Sequence, residues 1–330
     1  MLTRNTFVTF VLLAAAWFRN SVADGIPTDA HTLPGVDLAD PGVFVIYGDT
    51  RFTDPREVLA ANPGARRALV DKVAAEHPAA VILTGDTPWR GGSADDYAVY
   101  RNETGLWQAM GLRVLPVLGN HEFASCAEPG CLELWWQAFP QERGHRWYRV
   151  DFGKRIRFLA LDSNAPLTDG SAQRTWLEQE LRSLPSELSF VILGLHHPPV
   201  ADDGWLIVRP NETSLREFLE TRAPRLQPRL IVCAGHVHNY ERFERRGVVY
   251  LVSGGGGAKP LRVRRARADR YKDPGFPNYH YLRFELHDDT LTVSMVRLED
   301  SEAMQPHTWQ VRDQFNISAR ASKPDDHGTR

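Results

Sequence analysis

Five short apolar runs in this chain each end in small residues followed by carboxylate, amide or imidazole side chains. Apolar runs of this length suit strands that are buried on both faces of a sheet. The runs, each with the residues after it, are 43–47 before Gly48-Asp49, 80–83 before Thr84-Gly85-Asp86, 114–118 before Gly119-Asn120-His121-Glu122, 190–193 before Gly194-Leu195-His196-His197, and 230–233 before Ala234-Gly235-His236-Val237-His238. Because ligands bind beyond the carboxyl ends of strands in open α/β sheets, the pattern predicts a polar site along one edge.

Stretches with helical spacing separate these runs, which indicates an α/β architecture. The clearest extends from Ser171, a predicted cap, to Leu184, and places Trp176, Leu177 and Leu181 on one face. Three further stretches are expected to be helical: 57–76 with a restart at Pro63, 94–110, and 131–139.

Elsewhere the strands follow one another more directly. Residues 147–151 lead through Phe152-Gly153-Lys154 into residues 156–160, which is a hairpin signal, and residues 248–296 show a similar pattern. We therefore expect either one mixed sheet or two sheets. Pro116 interrupts one of the runs and is typical of an edge strand.

The side chains at the strand ends form a donor set for metals. Each alone has an ordinary interpretation, since an Asp after Gly is often a turn or a helix cap. Their recurrence at the same structural point favours a metal site built from Asp49, Asp86, Asn120, His196, His236 and His238, with His121 beside it. Carboxylates and imidazoles suit Mn, Fe, Zn or Co, and a shared Asp can bridge two such ions.

This ordered set resembles the calcineurin-like metallophosphoesterase superfamily. Residues 235–242, Gly-His-Val-His-Asn-Tyr-Glu-Arg, are particularly similar to the purple acid phosphatase branch. The resemblance covers roughly residues 43–256. It implies a four-layer α/β/β/α sandwich of two mixed sheets, two divalent or trivalent metal ions, and hydrolysis of a phosphate ester by in-line attack of a hydroxide that the metals activate.

The resemblance also implies roles for individual residues. Asp86 would bridge the two ions, and His121 would act near the leaving group as a general acid or as a donor to the phosphate. One ion would be completed by Asn120, His196 and His236, and the other by Asp49 and His238. His197 is the alternative to His196 as a ligand.

The first block departs from the family pattern. The family has Asp-x-His there, with that His as a ligand, whereas this chain has Asp49-Thr50-Arg51; the Tyr that purple acid phosphatases supply after the bridging Asp is replaced by Trp89. A guanidinium cannot ligate a metal. Two interpretations stay open: Arg51 contacts the substrate phosphate by a bidentate pair, or Arg51 replaces much of the first ion's charge, so that the Asp49/His238 site is weak or empty.

The predicted substrate is a small phosphate ester. Similarity over residues 236–242 favours a phosphomonoesterase, while the altered first block leaves two alternatives: a phosphodiesterase on the same scaffold, or a metal- or phosphate-binding protein whose catalysis has decayed. The formal net charge of −2 gives no global sign of nucleic-acid binding, and no nucleic-acid-binding module is evident. Residues 262–272 hold six basic residues, which either steer an anionic substrate or form a solvated loop.

The first 23 residues are typical of a cleaved secretory signal. Arg4 precedes an apolar run at residues 7–18, too short to span a bilayer, and Ser21-Val22-Ala23 supplies small residues before Asp24. We therefore predict a secreted or periplasmic protein with no membrane span after cleavage; an uncleaved anchor is the alternative. The catalytic domain would cover residues 24–300 and a polar tail residues 301–330, with its end, from Lys323, disordered.

Three cysteines are too few for a disulfide-built scaffold. Cys126 and Cys131 bracket Ala-Glu-Pro-Gly, and in an exported protein they either pair or stay free. Cys233 lies in an apolar run and is expected to be a buried small hydrophobe.

Overall fold

The computed structural model describes residues 31–126, 130–202, 208–302 and 306–320. The predicted signal peptide and the predicted disordered end lie outside these residues. Within them, the strands are β1 (His31–Thr32), β2 (Gly42–Tyr47), β3 (Ala80–Leu83), β4 (Arg113–Pro116), β5 (Tyr148–Phe152), β6 (Ile156–Ala160), β7 (Phe190–Leu195), β8 (Arg229–Ala234), β9 (Tyr240–Arg245), β10 (Val248–Ser253), β11 (His280–His287), β12 (Thr290–Leu298) and β13 (Trp309–Ser318). The helices are α1 (Pro63–Ala75), α2 (Ala94–Glu103), α3 (Gly105–Ala109), α4 (Glu133–Ala138), α5 (Ala172–Arg182) and α6 (Pro210–Arg222).

The strands form two mixed sheets. One has the spatial order β1-β5-β6-β7-β8-β10-β9 and the other β13-β12-β11-β2-β3-β4. The predicted hairpin is present, since β5 and β6 pair antiparallel. β4 is an edge strand, which explains how Pro116 is accommodated at its last position.

The two sheets pack face to face and carry helices on their outer faces. Phe44 of β2 and Phe158 of β6 belong to the core between the sheets. The neighbouring Val45 packs instead with Leu69 of α1, and Leu193 of β7 packs with Leu177 of α5. Because the central strands are buried on both faces, their sequences are continuous apolar runs. This arrangement confirms the expected four-layer α/β/β/α sandwich.

The helices differ in detail from the expected ranges. Ser171 caps α5 as predicted, because its hydroxyl accepts from the Arg174 N–H. Residues 57–62 are not helical, and α1 begins at Pro63, where the Asn62 side chain caps it. The stretch at 94–110 breaks at Thr104 into α2 and α3.

Part of the polar segment after residue 300 belongs to the fold. Within it, β13 pairs antiparallel with β12 and extends the second sheet at its edge. The sequence of β13 looks like a tail because an edge strand exposes polar side chains. Its order comes from hydrogen bonds to β12, the preceding strand in the chain.

Cys126 and Cys131 form a disulfide, which decides between the two alternatives for this pair. Cys233 is free and buried, as predicted. Among the described residues, none of the helices has the length and apolar character needed to cross a bilayer.

Candidate metal centre

The carboxyl ends of strands from both sheets meet at one place. Asp49, Asp86 and Asn120 follow β2, β3 and β4 of one sheet, whereas His196, His236 and His238 follow β7 and β8 of the other. The structure brings these predicted ligands together in two neighbouring groups, and Asp86, a member of one group, also contacts His196 of the other. The role of each as a ligand stays a prediction.

Several residues of the centre have backbone conformations that side chains other than Gly rarely adopt. Asp49, Arg51, Asp86 and His236 have φ angles of 61°, 46°, 53° and 71°. Such strain persists where the surrounding structure over-determines the backbone, and it concentrates at functional sites. The loops after β2, β3 and β8 are therefore built to aim these side chains.

The first group contains Asp49, Asp86 and His238, all buried, with one potential ligand atom of each within 4.8 Å of the others. His238 Nδ1 lies 2.7 Å from the Lys259 carbonyl, which assigns its proton to Nδ1. Its Nε2 then carries a lone pair, 3.4 Å from Asp49 Oδ1. Neither of these buried atoms has a hydrogen-bond partner among the described residues. Two acceptors that face each other in this way suit a cation bound between or beside them.

The second group contains His196, His197 and His236, whose ring nitrogens also lie within 4.8 Å of one another. His196 Nδ1 donates to the Thr84 carbonyl at 2.9 Å, so Nε2 faces Asn120 Oδ1 at 3.0 Å. His236 Nδ1 is 3.3 Å from the same Nε2. Asn120 Oδ1 and His236 Nδ1 thus both lie within 3.3 Å of His196 Nε2.

His197, the alternative ligand, belongs to this second group as well. Its Nδ1 lies 2.8 Å from Ser163 Oγ, and Ser163 Oγ also accepts from the His197 N–H at 3.1 Å. This contact orients the ring toward His236, at 4.5 Å between ring centroids. Both adjacent histidines therefore line the centre.

Asp86 joins the two groups. Its Oδ1 is 3.2 Å from His196 Nε2 and accepts from the His121 N–H at 2.9 Å. Burial alone raises the pKa of Asp86, but the nearby His196, His121 and Arg51 outweigh burial and hold this pKa below its usual value. Burial lowers the pKa of His236 to about 3, so this imidazole is neutral and can offer a nitrogen lone pair to a metal ion.

His121 and Trp89 lie beside Asp86. His121 Nδ1 is 2.6 Å from the Trp89 carbonyl, and its Nε2 lies 3.7 Å from Asp86 Oδ2. The Trp89 indole stacks on the His121 ring with 4.5 Å between centroids. Trp89, which stands where the related branch has a Tyr, is therefore a support for His121.

Arg51 also contacts Trp89. Its guanidinium is 4.9 Å from the centroid of the Trp89 ring, and Nη2 donates to Asp86 Oδ2 at 3.2 Å. Its Nε is buried without a hydrogen-bond partner among the described residues. A buried donor without a partner is costly, so this N–H is available to an anion that enters the centre.

Glu122 is a functional residue to which the motif alone assigns no role. Its carboxylate accepts from the backbone N–H groups of Asp86 at 3.1 Å, Thr87 at 2.9 Å and Gly119 at 2.7 Å. Burial, followed by the charge of Asp86, raises its pKa to about 7. Glu122 thereby holds the loops after β3 and β4 together, and Gly119 permits the contact because a Cβ there would lie 2.4 Å from Asp86 Oδ1.

The residues present fit metal ions. Buried acceptors without donors, the imidazoles of His196 and His238 with Nδ1 held by backbone carbonyls, and the Asp86 carboxylate between the two groups form the donor set that borderline metals prefer. Asp49, Asp86 and His238 would hold one ion, and Asn120, His196 and His236 the other, with Asp86 shared.

Comparisons with known proteins agree with this site. The sequence profile of the family described as calcineurin-like phosphoesterase matches residues 42–240. No curated protein sequence matches the chain.

Solved structures share the fold. The purple acid phosphatase PPD1 from yellow lupin (Lupinus luteus) seeds superposes with a TM-score of 0.65 at 17% identity over 87% of this chain and 55% of that chain. This chain thus spans just over half the length of the lupin protein. A dimetal phosphatase from Danio rerio superposes with a TM-score of 0.59 at 16% identity, over 85% of this chain and 100% of that chain. GAP50, the anchor in the inner membrane complex of Plasmodium, superposes with a TM-score of 0.57 at 13% identity, over 86% of this chain and 91% of that chain.

At these identities the structural matches show the fold, whereas the profile covers more than half of the chain and all the predicted ligands. The chain therefore belongs to the calcineurin-like phosphoesterase family, as its strand-end motifs predicted.

Proposed function

We propose that this protein hydrolyses small phosphate monoesters with two metal ions drawn from Mn, Fe, Zn or Co. The observation that carries the proposal is the convergence of two acceptor groups on Asp86, with Arg51 and His121 beside the same carboxylate. When bound, such ions polarise the phosphoryl group and lower the pKa of water.

The protein's own residues bind and orient the ester. Arg51 presents its unpartnered Nε–H to a phosphate oxygen, while its Nη2 donates to Asp86 Oδ2 and holds the guanidinium beside the centre. His121 holds its Nδ1 proton against the Trp89 carbonyl and presents Nε2 to the centre. When Nε2 is protonated as well, the imidazolium can donate to the phosphate or pass that second proton to the leaving group. Stacking on Trp89 keeps the ring in this orientation.

Charge favours a monoester over a diester. A monoester carries up to two negative charges near neutral pH and a diester one, and the Arg51 guanidinium adds positive charge beside the metal donors. Monoesters thus complement this centre better than diesters.

The direct test compares a chromogenic phosphate monoester with its diester analogue, using protein loaded with Mn²⁺ and a His236→Ala control. We expect hydrolysis that prefers the monoester and that the control lacks. A preference for the diester would assign the phosphodiesterase alternative instead. Equal rates in the control would refute a metal-dependent activity.

A second candidate function is metal or phosphate binding without catalysis. It is favoured by Arg51 and Trp89, which occupy positions where relatives are expected to supply a ligand. His121→Ala separates the two functions, because His121 is not needed to hold a metal. In an enzyme this variant should keep its metal and lose about 10²-fold or more in kcat; in a pure binding protein there is no activity for it to lose.

We also propose that the protein is exported. The signal-like residues 1–23 support this proposal, and so does the Cys126–Cys131 disulfide, because disulfides persist mainly in oxidising compartments. Amino-terminal sequencing of protein recovered from its native host should begin at Asp24. A chain that keeps Met1 and stays with the cytosolic fraction would contradict export.

A further inference from the structure

Two surface segments meet directly beside the metal centre. The turn that precedes α1 runs against residues 257–262: Ala61 pairs with Ala258, and the Lys259 N–H donates to the Ala60 carbonyl at 3.3 Å. The second segment is tied to two predicted ligands. The Ala258 N–H donates to the Asp49 carbonyl at 2.8 Å, and the Lys259 carbonyl accepts from His238.

These segments expose large apolar side chains. Val58 is 65%, Leu59 78% and Leu261 44% exposed. Phe276, which is 37% exposed, lies on a separate loop and reaches the second segment through its ring contact with Arg262. These four are among only seven large apolar side chains that are exposed in the described part of the chain. Single exposed apolar residues need no explanation, but a concentration of them on joined segments marks an interaction surface.

The second segment is basic, whereas the first carries one exposed acidic residue, Glu57, beside Val58. Lys259 and Arg262 are exposed, and the Arg262 guanidinium lies 4.1 Å from the centroid of the Phe276 ring. Neither has an ion pair with any described residue. Arg265 instead points inward, to the Tyr240 carbonyl and Asp269, and fixes the loop to β9. In a chain with a net charge of −2, this is a local excess of positive charge.

We propose that the rim formed by Val58, Leu59, Lys259, Leu261, Arg262 and Phe276 docks the protein on an anionic phospholipid surface. Apolar side chains with flanking Lys and Arg suit the boundary between headgroups and acyl chains. A small polyphosphate would complement the basic residues but gives Leu59 and Leu261 nothing to bury against. Docking by this rim brings the Asp49 and His238 side of the metal centre to the headgroup layer.

The test is flotation of the mature chain, residues 24–330, with phosphatidylcholine vesicles that either contain or lack phosphatidylserine, because the apolar run at residues 7–18 would bind lipid by itself. The measurement needs no substrate and no turnover, so its failure is distinct from a failure of the proposed hydrolysis. We expect binding to the phosphatidylserine vesicles only. Absence of binding to either vesicle, or equal binding to both, would overturn the proposal.

Charge variants locate the surface. Lys259→Gln with Arg262→Gln should lower the partition coefficient about 30-fold, since each basic residue near an anionic bilayer contributes about a fivefold factor. The matched control is Arg101→Gln with Arg225→Gln, two exposed arginines away from the rim, one in the last turn of α2 and one just before β8. Equal losses in the two double variants would overturn the assignment to the rim.

Apolar variants decide between a bilayer and a small anion. Leu59→Ser with Leu261→Ser should lower the partition coefficient by at least about tenfold, because each Leu gains apolar burial in the membrane. The control is Leu106→Ser with Met110→Ser, exposed apolar residues on another surface. Full binding by the rim variant, combined with displacement by inorganic pyrophosphate, would identify a small-anion site and overturn the proposal.

Discussion

The Nη2 atom of Arg51 lies 3.2 Å from Oδ2 of Asp86, the carboxylate that joins the two groups of metal donors through its contact with His196. A permanent cation therefore stands where the family pattern would place a further ligand. Asp86 keeps its other oxygen, Oδ1, directed at His196. The centre is thus arranged for an anionic substrate as well as for metal ions.

Replacement of Arg51 tests its role. We expect Arg51→Ala to lower kcat/KM for a monoester by about 10- to 150-fold, because a hydrogen bond to a charged group contributes about 1.5–3 kcal/mol. The number of bound metal ions should not change. The control is Arg56→Ala, an exposed arginine paired with Asp54, which should change kcat/KM by less than about twofold. A gain of a metal ion in Arg51→Ala would show instead that the guanidinium replaces an ion.

Glu122 should be essential for the geometry of the centre. In the wild type, the Glu122 carboxylate accepts from three backbone N–H groups. In Glu122→Gln, the amide NH₂ would face some of these N–H groups and could not accept from them. Each unsatisfied buried N–H costs about 1–3 kcal/mol, so the free energy of unfolding should fall by about 2 kcal/mol and metal affinity should fall with it. Urea unfolding and metal titration measure the two effects. Glu57→Gln, an exposed control, should change neither, and a Glu122→Gln protein as stable as the control would refute the role.

Glu142 should make stability depend on pH. Both of its carboxylate oxygens are buried without a hydrogen-bond partner among the described residues, and burial raises its pKa to about 8, with Arg113 acting in the opposite direction. Because the folded pKa lies above the ordinary value near 4.5, the folded state holds its proton more tightly than the unfolded chain does. The contribution of Glu142 to the free energy of unfolding is fully present below about pH 4.5 and is lost as the pH rises through about 8.

Unfolding measured at pH 5 and pH 8 checks this behaviour. From pH 5 to pH 8, the free energy of unfolding of the wild type should fall by an amount on the order of a few kcal/mol. Glu142→Gln should not show this decrease, because its amide is neutral at both pH values. Parallel pH profiles in the two proteins would mean that Glu142 is solvated or paired. This group lies outside the metal centre, so the result is independent of metal content.

The strand ends were predictable because burial on both faces leaves a continuous apolar run that any reader of the sequence can find. The position of Asp49 or His196 follows directly from the end of such a run. Pro116 likewise indicated an edge strand, and β4 is one.

Other features depend on pairing and packing between separate segments, which local patterns do not carry. The strand β13 reads as a polar tail because its partner β12 supplies its order. The stack of Arg51, Trp89 and His121 joins three separate loops, and Glu122 acts on backbone N–H groups from two loops. In each case the residue type allows several roles, and only the three-dimensional packing selects one.

The most direct test of the central claim measures metal content and hydrolysis on the same sample. Full-length protein is stripped with a chelator, reloaded with Mn²⁺, and examined by native mass spectrometry and by turnover of a chromogenic phosphate monoester. We predict that the stripped protein is inactive, and that the reloaded protein binds two ions and regains monoester hydrolysis. Reloaded protein that binds its ions but hydrolyses no phosphate ester, or stripped protein that remains fully active, would contradict the account.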